Sequence, residues 1–154
     1  MPSTRLFFDA NLLVLLVVGR TDRRLIAKHR RLREFDDDDY DKLVRLADEV
    51  DQILVTPNTL TEASNLLAQH GEPERSRIFE VLRILIEENE EIVVTSKTAS
   101  QNDEFTRLGL TDAGLLEVIS NSNPLITVDL ALYLAAIRRE SGSAYNFRHY
   151  QSLA

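Results

Sequence analysis

A chain of 154 residues, 44% hydrophobic and 28% charged, is long enough to fold as one domain with a proper core. It has no cysteine, which excludes a disulfide framework, a thiolate nucleophile and a thiolate metal site. A net charge of -7 excludes simple adhesion to nucleic acid unless the basic residues cluster or cations offset the acids.

Arg5 to Phe8 is a short apolar strand candidate, closed at once by Asp9. Asn11 to Gly19 is too uniformly apolar for a surface helix and reads as a buried helix packed on a sheet. Arg5 followed by LLVLLVVG imitates a signal peptide, but Asp9 and Asn11 interrupt it and RTDRR follows Gly19 where a small-residue cleavage site belongs. No apolar run approaches the roughly 20 residues needed to span a bilayer. The expectation is a cytoplasmic protein with no membrane association.

Residues 20–51 read as a charged, helical region. Its first part is basic, with Arg20, Arg23, Arg24, Lys28, Arg30, Arg31 and Arg33; its second is acidic, with Glu34, Asp36 to Asp39 and Asp41. The acids precede a helical pattern and suit its positive end. The arginines read as a solvated face, with phosphate contact through Arg23, Arg24, Arg30 and Arg31 as the sharper alternative.

Ile53 to Val55 is the second strand, and Pro57 opens the helix that carries Glu62. A further helix starts at Pro73, and Ile92-Val93-Val94 is expected as the third strand. Ser96 to Arg107 is weakly helical. Thr111-Asp112 starts another helix, Leu125 to Val128 is the fourth strand, and Asp129 closes it and begins a helix that ends near Gly142. Ala144 to Phe147 is the last strand candidate. Strands alternating with helices predict an α/β fold: a three-layer α/β/α sandwich around a parallel sheet of about five strands, in one domain over residues 1–154.

Sheets of this kind bind ligands beyond the carboxyl ends of their strands. Asp9 and Asp129 follow strands, while Asp112 and Glu62 lie near the starts of helices that leave or meet that edge. Each has a bland reading: Asp9 and Asp129 as helix caps, Asp112 as a helix-start charge, Glu62 as a solvated residue. Together they place four carboxylates on one rim, where they would raise each other's pKa or need a cation. An oxygen-only set suits Mg²⁺ or Mn²⁺, and metal-assisted phosphodiester hydrolysis follows as the reaction class.

Four segments carry a resemblance: Leu6-Phe7-Phe8-Asp9-Ala10-Asn11, Thr59-Leu60-Thr61-Glu62-Ala63, Gly109-Leu110-Thr111-Asp112-Ala113 and Leu125-Ile126-Thr127-Val128-Asp129. In order and setting, over almost the whole chain, they resemble the PIN domain, the metal-dependent ribonuclease fold of VapC-type toxins. The resemblance implies strand order 3-2-1-4-5, with Asp9, Asp112 and Asp129 as the main metal ligands and Glu62 completing the site. It implies that Asn11 and Thr127 steady those acids by hydrogen bonds. It further implies an RNA substrate cut to a 5′-phosphate and a 3′-hydroxyl, an antitoxin protein as a possible partner, and a homodimer. The insertion at 20–51 and the segment between Gly71 and Glu91 are longer than in compact toxins. Two other classes compete. One is a PIN-like module that binds RNA or protein without cleaving. The other is a phosphoryl-transfer protein, which lacks its Asp-x-Asp here because Asn11 takes the second place, and lacks a late lysine because none follows Lys97.

Overall fold

The computed structural model describes residues 4–149. Its sheet has five strands, all parallel, in the order β3-β2-β1-β4-β5. These are β1 (Arg5–Phe8), β2 (Gln52–Val55), β3 (Glu90–Glu91), β4 (Leu125–Thr127) and β5 (Ala144–Asn146). The two-residue alternation of β1 divides its side chains between two cores. Leu6 and Phe8 enter one hydrophobic cluster and Phe7 the other. The sheet is thus covered on both faces, as an all-parallel sheet requires.

The larger cluster packs the first face with helices α1 (Ala10–Thr21), α2 (Asp37–Glu49), α3 (Pro57–Leu67) and α4 (Glu74–Glu88). Nine of the twelve residues of α1 are buried, because α3, α4, two 3-10 turns and α2 all pack against it and its apolar residues join those of the sheet in one core. The second face carries the short helices α5 (Ser96–Ser100) and α6 (Phe105–Leu108), then α7 (Leu110–Val118) and α8 (Leu130–Arg139). Leu115 and Leu116 of α7 and Leu132, Ala135 and Ala136 of α8 meet Phe7, Leu54 and Leu125 there.

Two expected elements differ. The third strand is Glu90–Glu91, not Ile92 to Val94. Its ladder follows β2, pairing Glu90 with Leu54 and Glu91 with Val55, and Ile92 N–H still donates to Val55 O at 2.8 Å. Beyond that point β2 has turned into α3 at Thr56-Pro57, so Val93 has no strand to join and is 72% exposed. The basic stretch forms 3-10 turns at Arg23–Lys28 and Arg30–Leu32, not an α-helix. His29 breaks it: its backbone is extended and its Nδ1 accepts the Arg31 N–H. The His29 ring is buried and stacked on His70 with centroids 5.4 Å apart, a contact between positions too far apart in sequence for spacing to suggest. Burial, then the His70 and Arg31 charges, hold the His29 imidazole below the ordinary histidine range, which keeps it neutral.

No helix among the described residues is long and apolar enough to cross a membrane.

Candidate metal centre

Asp9 and Asp129 occupy equivalent places. Each ends a strand and caps the next helix: Asp9 Oδ1 accepts the Leu12 N–H at 3.0 Å, and Asp129 Oδ1 accepts the Leu132 N–H at 3.1 Å. The capping reading is therefore true of both, and it fixes where the rest of each carboxylate stands. Because β1 and β4 are neighbours in register, with Phe8 opposite Ile126, Asp9 comes level with Thr127, and Asp129 follows two residues later at the same carboxyl edge. Gly109 is the residue before α7, with φ 89°, a conformation that favours glycine. The turn it makes puts Asp112 in the first turn of α7. Glu62 comes from α3, which starts directly beyond β2.

One cavity of about 40 Å³ gathers them. Asp9, Asn11, Glu62, Asp112 and Asp129 line it, with Thr111, Leu115 and Leu132. A larger open groove of about 540 Å³ lies between α3 and α4, walled mainly by Leu60, Phe79, Leu82 and Ile86. Its walls carry one arginine and one glutamate and no cluster of titratable groups, so size alone does not identify the chemical site.

The four acids are not equivalent electrostatically. Asp9 is 5% exposed, and burial pushes its carboxyl up. Hydrogen bonds from Thr127, Leu12 and Val128 oppose that rise, and the Asp129 charge adds to it. Its Oδ2 accepts from both the Thr127 hydroxyl and the Val128 N–H, the latter at 3.0 Å. Thr127 is fully buried, and its Oγ1 also accepts the Asp129 N–H at 3.0 Å, so one hydroxyl ties two of the acids together. Asp112 is pushed up to about 7, first by burial and then by the charges of Asp129, Glu62 and Asp9. Among the described residues none of the four acids forms an ion pair, and neither Asp112 nor Glu62 accepts a hydrogen bond on its side chain.

This donor set fits a hard divalent cation in chemistry: carboxylate oxygens only, negative charge without an internal counter-charge, and space for a small ion. The placement is looser than the chemistry. Among the described residues no group of three or more His, Cys, Asp or Glu side chains is positioned to hold one ion as it stands. Asp9 has three of its roughly four acceptor positions occupied by hydrogen bonds, whereas Asp112 and Glu62 are unrestrained.

The remaining candidates separate. Asn11 lines the cavity but makes no side-chain hydrogen bond to the acids among the described residues. Arg23 is held by Asp41 at 2.6 Å and Asp37 at 3.9 Å, and Arg24 by Asp22 at 2.9 Å. Arg30 and Arg31 are exposed and, among the described residues, have no ion pair. The Leu12 and Val128 N–H groups that hold Asp9 were not named from sequence, since backbone donors leave no residue-type signal.

No family model matches this chain, and no curated protein matches it.

Replacing Thr127 with valine keeps the shape and deletes the hydroxyl. Asp9 loses the hydrogen bond that lowers its pKa most, and the half-buried Asp129 N–H loses its acceptor. The expected cost is about 1–3 kcal/mol of stability, read by chemical denaturation, with divalent-metal affinity lower by about 10- to 100-fold. An unchanged denaturation midpoint and metal affinity would show that the hydroxyl is incidental.

Proposed function

We propose that this protein is a metal-dependent endoribonuclease of the PIN-domain type, with Asp9, Glu62, Asp112 and Asp129 arranged around Mg²⁺ or Mn²⁺. The observation that carries this reading is the crowding of four carboxylates about one cavity without a cationic side chain among them. Such crowding is costly unless a cation is bound. When bound, the ion would supply Lewis acidity, favouring water ionisation and offsetting charge that builds on a phosphodiester.

The chain's own residues divide the remaining work. Asp9 is rigid, fixed by two backbone N–H groups and the Thr127 hydroxyl. Asp129 has one oxygen committed to the α8 cap and the other left for the cavity. Asp112, its carboxyl pushed up to about 7, keeps a proton below neutral pH and would give it up to a bound cation. Glu62, exposed on α3, lines the same cavity. RNA rather than DNA, a toxin role with an antitoxin partner, a homodimer and a cytoplasmic location rest on the family resemblance alone.

The test is cleavage of mixed single-stranded and structured RNA with Mn²⁺, Mg²⁺ or excess chelator. Wild type should cleave only with metal, and Asp9→Asn should lose at least about a hundredfold in rate, since even groups behind metal ligands cost 10- to 100-fold. Cleavage that survives chelator, or equal rates for the variant, would refute the carboxylate mechanism. A second reading, a PIN-like module that binds RNA or protein without cutting, is favoured by the absence of three acids positioned for one ion among the described residues. It gives no cleavage in any of these conditions.

A further inference from the structure

The insertion separates its cations into two sets. Arg23 and Arg24 are consumed internally by Asp41, Asp37 and Asp22. Lys28, Arg30, Arg31 and Arg33 are all exposed, and among the described residues none of their side chains forms an ion pair or hydrogen bond. Lys28-His29-Arg30-Arg31-Leu32-Arg33 contains four cations and no acid, in a chain of net charge -7. The acids that follow are committed elsewhere. Glu34 meets Arg148 at 3.7 Å, Asp36 is in the capping box of α2, and Asp37 meets Arg23. Asp38 is left in solvent at the α2 start, where the helix end favours it.

This cationic segment is built, not floppy. Leu32 is fully buried, His29 is buried against His70, and Phe35 is buried under the Arg148 guanidinium, 4.9 Å from its ring centroid. The backbone between is a 3-10 turn, in which positions three apart fall on one side, as Arg30 and Arg33 do. One of its anchors follows the carboxyl end of the edge strand β5. Arg148 lies two residues beyond Asn146, and Asn146 is the strand partner of Thr127, the residue that holds Asp9.

We infer that Lys28, Arg30, Arg31 and Arg33 form a docking strip for the phosphate backbone of the RNA substrate. The identity of the polyanion rests on the nuclease reading. Unpaired cations on a fixed turn take phosphates without first breaking internal ion pairs or ordering the chain. Arg23 and Arg24 would have to break theirs, so they are not part of the strip.

The test is binding of a fluorescent single-stranded RNA of about 20 nucleotides, in chelator, as a function of salt. The full-length variant K28Q/R30Q/R31Q/R33Q should bind on the order of tenfold to a hundredfold more weakly at 0.1 M salt, and its log–log salt slope should flatten by about 2 to 3. R23Q/R24Q should stay within about twofold of wild type. Equal affinity and slope for the four-site variant, with circular dichroism showing it folded, would overturn the strip. So would an equal loss in R23Q/R24Q, or competition by polyglutamate as effective as by RNA, which would mark a surface for an acidic protein. Cleavage separates this inference from the nuclease reading. If wild type cuts nothing but the binding differences hold, the strip stands and the nuclease reading fails. If wild type cuts, the four-site variant should cut a dinucleotide at the wild-type rate and long RNA at least tenfold more slowly at limiting concentration.

Discussion

Asp112→Asn is expected to make the metal-free protein more stable while removing its capacity to bind a cation. The Asp112 carboxyl rises from an ordinary 3.8 to about 7, so the fold holds a proton that the unfolded chain has already released. Stability from this group is complete below pH 3.8 and is lost as pH rises toward about 7, after which it stays low. At 1.36 kcal/mol per unit the shift bounds the loss at about 4 kcal/mol. Partial exposure of the side chain and its favourable place in the first turn of α7 reduce this to about 1–2 kcal/mol. Asparagine cannot ionise, so the variant should hold its stability from pH 5 to pH 8 where wild type in chelator loses it. Adding Mn²⁺ should raise the midpoint of wild type and leave the variant unmoved. Guanidine denaturation in chelator at pH 5, 6.5 and 8 measures this. A variant less stable than wild type at pH 8 would show that Asp112 is a structural residue, contradicting its place in a strained acidic cluster.

Gly19→Ala should be among the most damaging single methyl additions. By helix propensity alone alanine improves on glycine inside a helix by about 1 kcal/mol. Here a Cβ would stand 2.6 Å from Tyr40 Cζ and closer still to two other ring carbons. The ring is buried, and the Arg23 guanidinium covers it 5.2 Å from its centroid, so it has no free path outward. Overpacking of this kind costs about 3 kcal/mol. In a domain of this size that lowers the thermal midpoint by roughly 10 °C. Shrinking the ring in Gly19→Ala/Tyr40→Leu should recover part of the loss, which a double-mutant cycle would report as coupling between the two positions. A midpoint at or above wild type for Gly19→Ala would mean that α2 is not seated on α1 at this point.

These two residues illustrate what the sequence makes legible. The apolar run from Asn11 to Gly19 announces a buried helix, yet nothing in it says why a glycine ends the run. The reason is an aromatic ring from a helix that begins sixteen positions after Thr21. Asp9 and Asp129 were readable because a strand ending in an acid and passing into a helix has a local signature, and the parallel sheet then brings both to one edge. Glu62 and Asp112 were readable only through that topology.

Apolar character marks Ile92 to Val94 as the third strand, whereas pairing is decided by where β2 ends and selects Glu90–Glu91. The basic run gave the same lesson for charge. Composition reads the arginines as one solvated face, but geometry pairs Arg23 and Arg24 with Asp22, Asp37 and Asp41 and, among the described residues, gives Arg30 and Arg31 no ion pair. Long-range pairs such as His29 on His70 and Arg148 over Phe35 leave no periodic trace at all.

In the proposed function, four carboxylates on one sheet edge hold a hard divalent cation. Calorimetric titration of the chelator-stripped protein with Mn²⁺, at pH 6 and pH 8, tests it most directly. The expected result is saturable binding that is tighter at pH 8, where Asp112 no longer has to give up a proton, and that is lost in Asp112→Asn and Asp9→Asn. Absence of saturable binding by the folded wild type at both pH values, or binding that both variants retain, would contradict it.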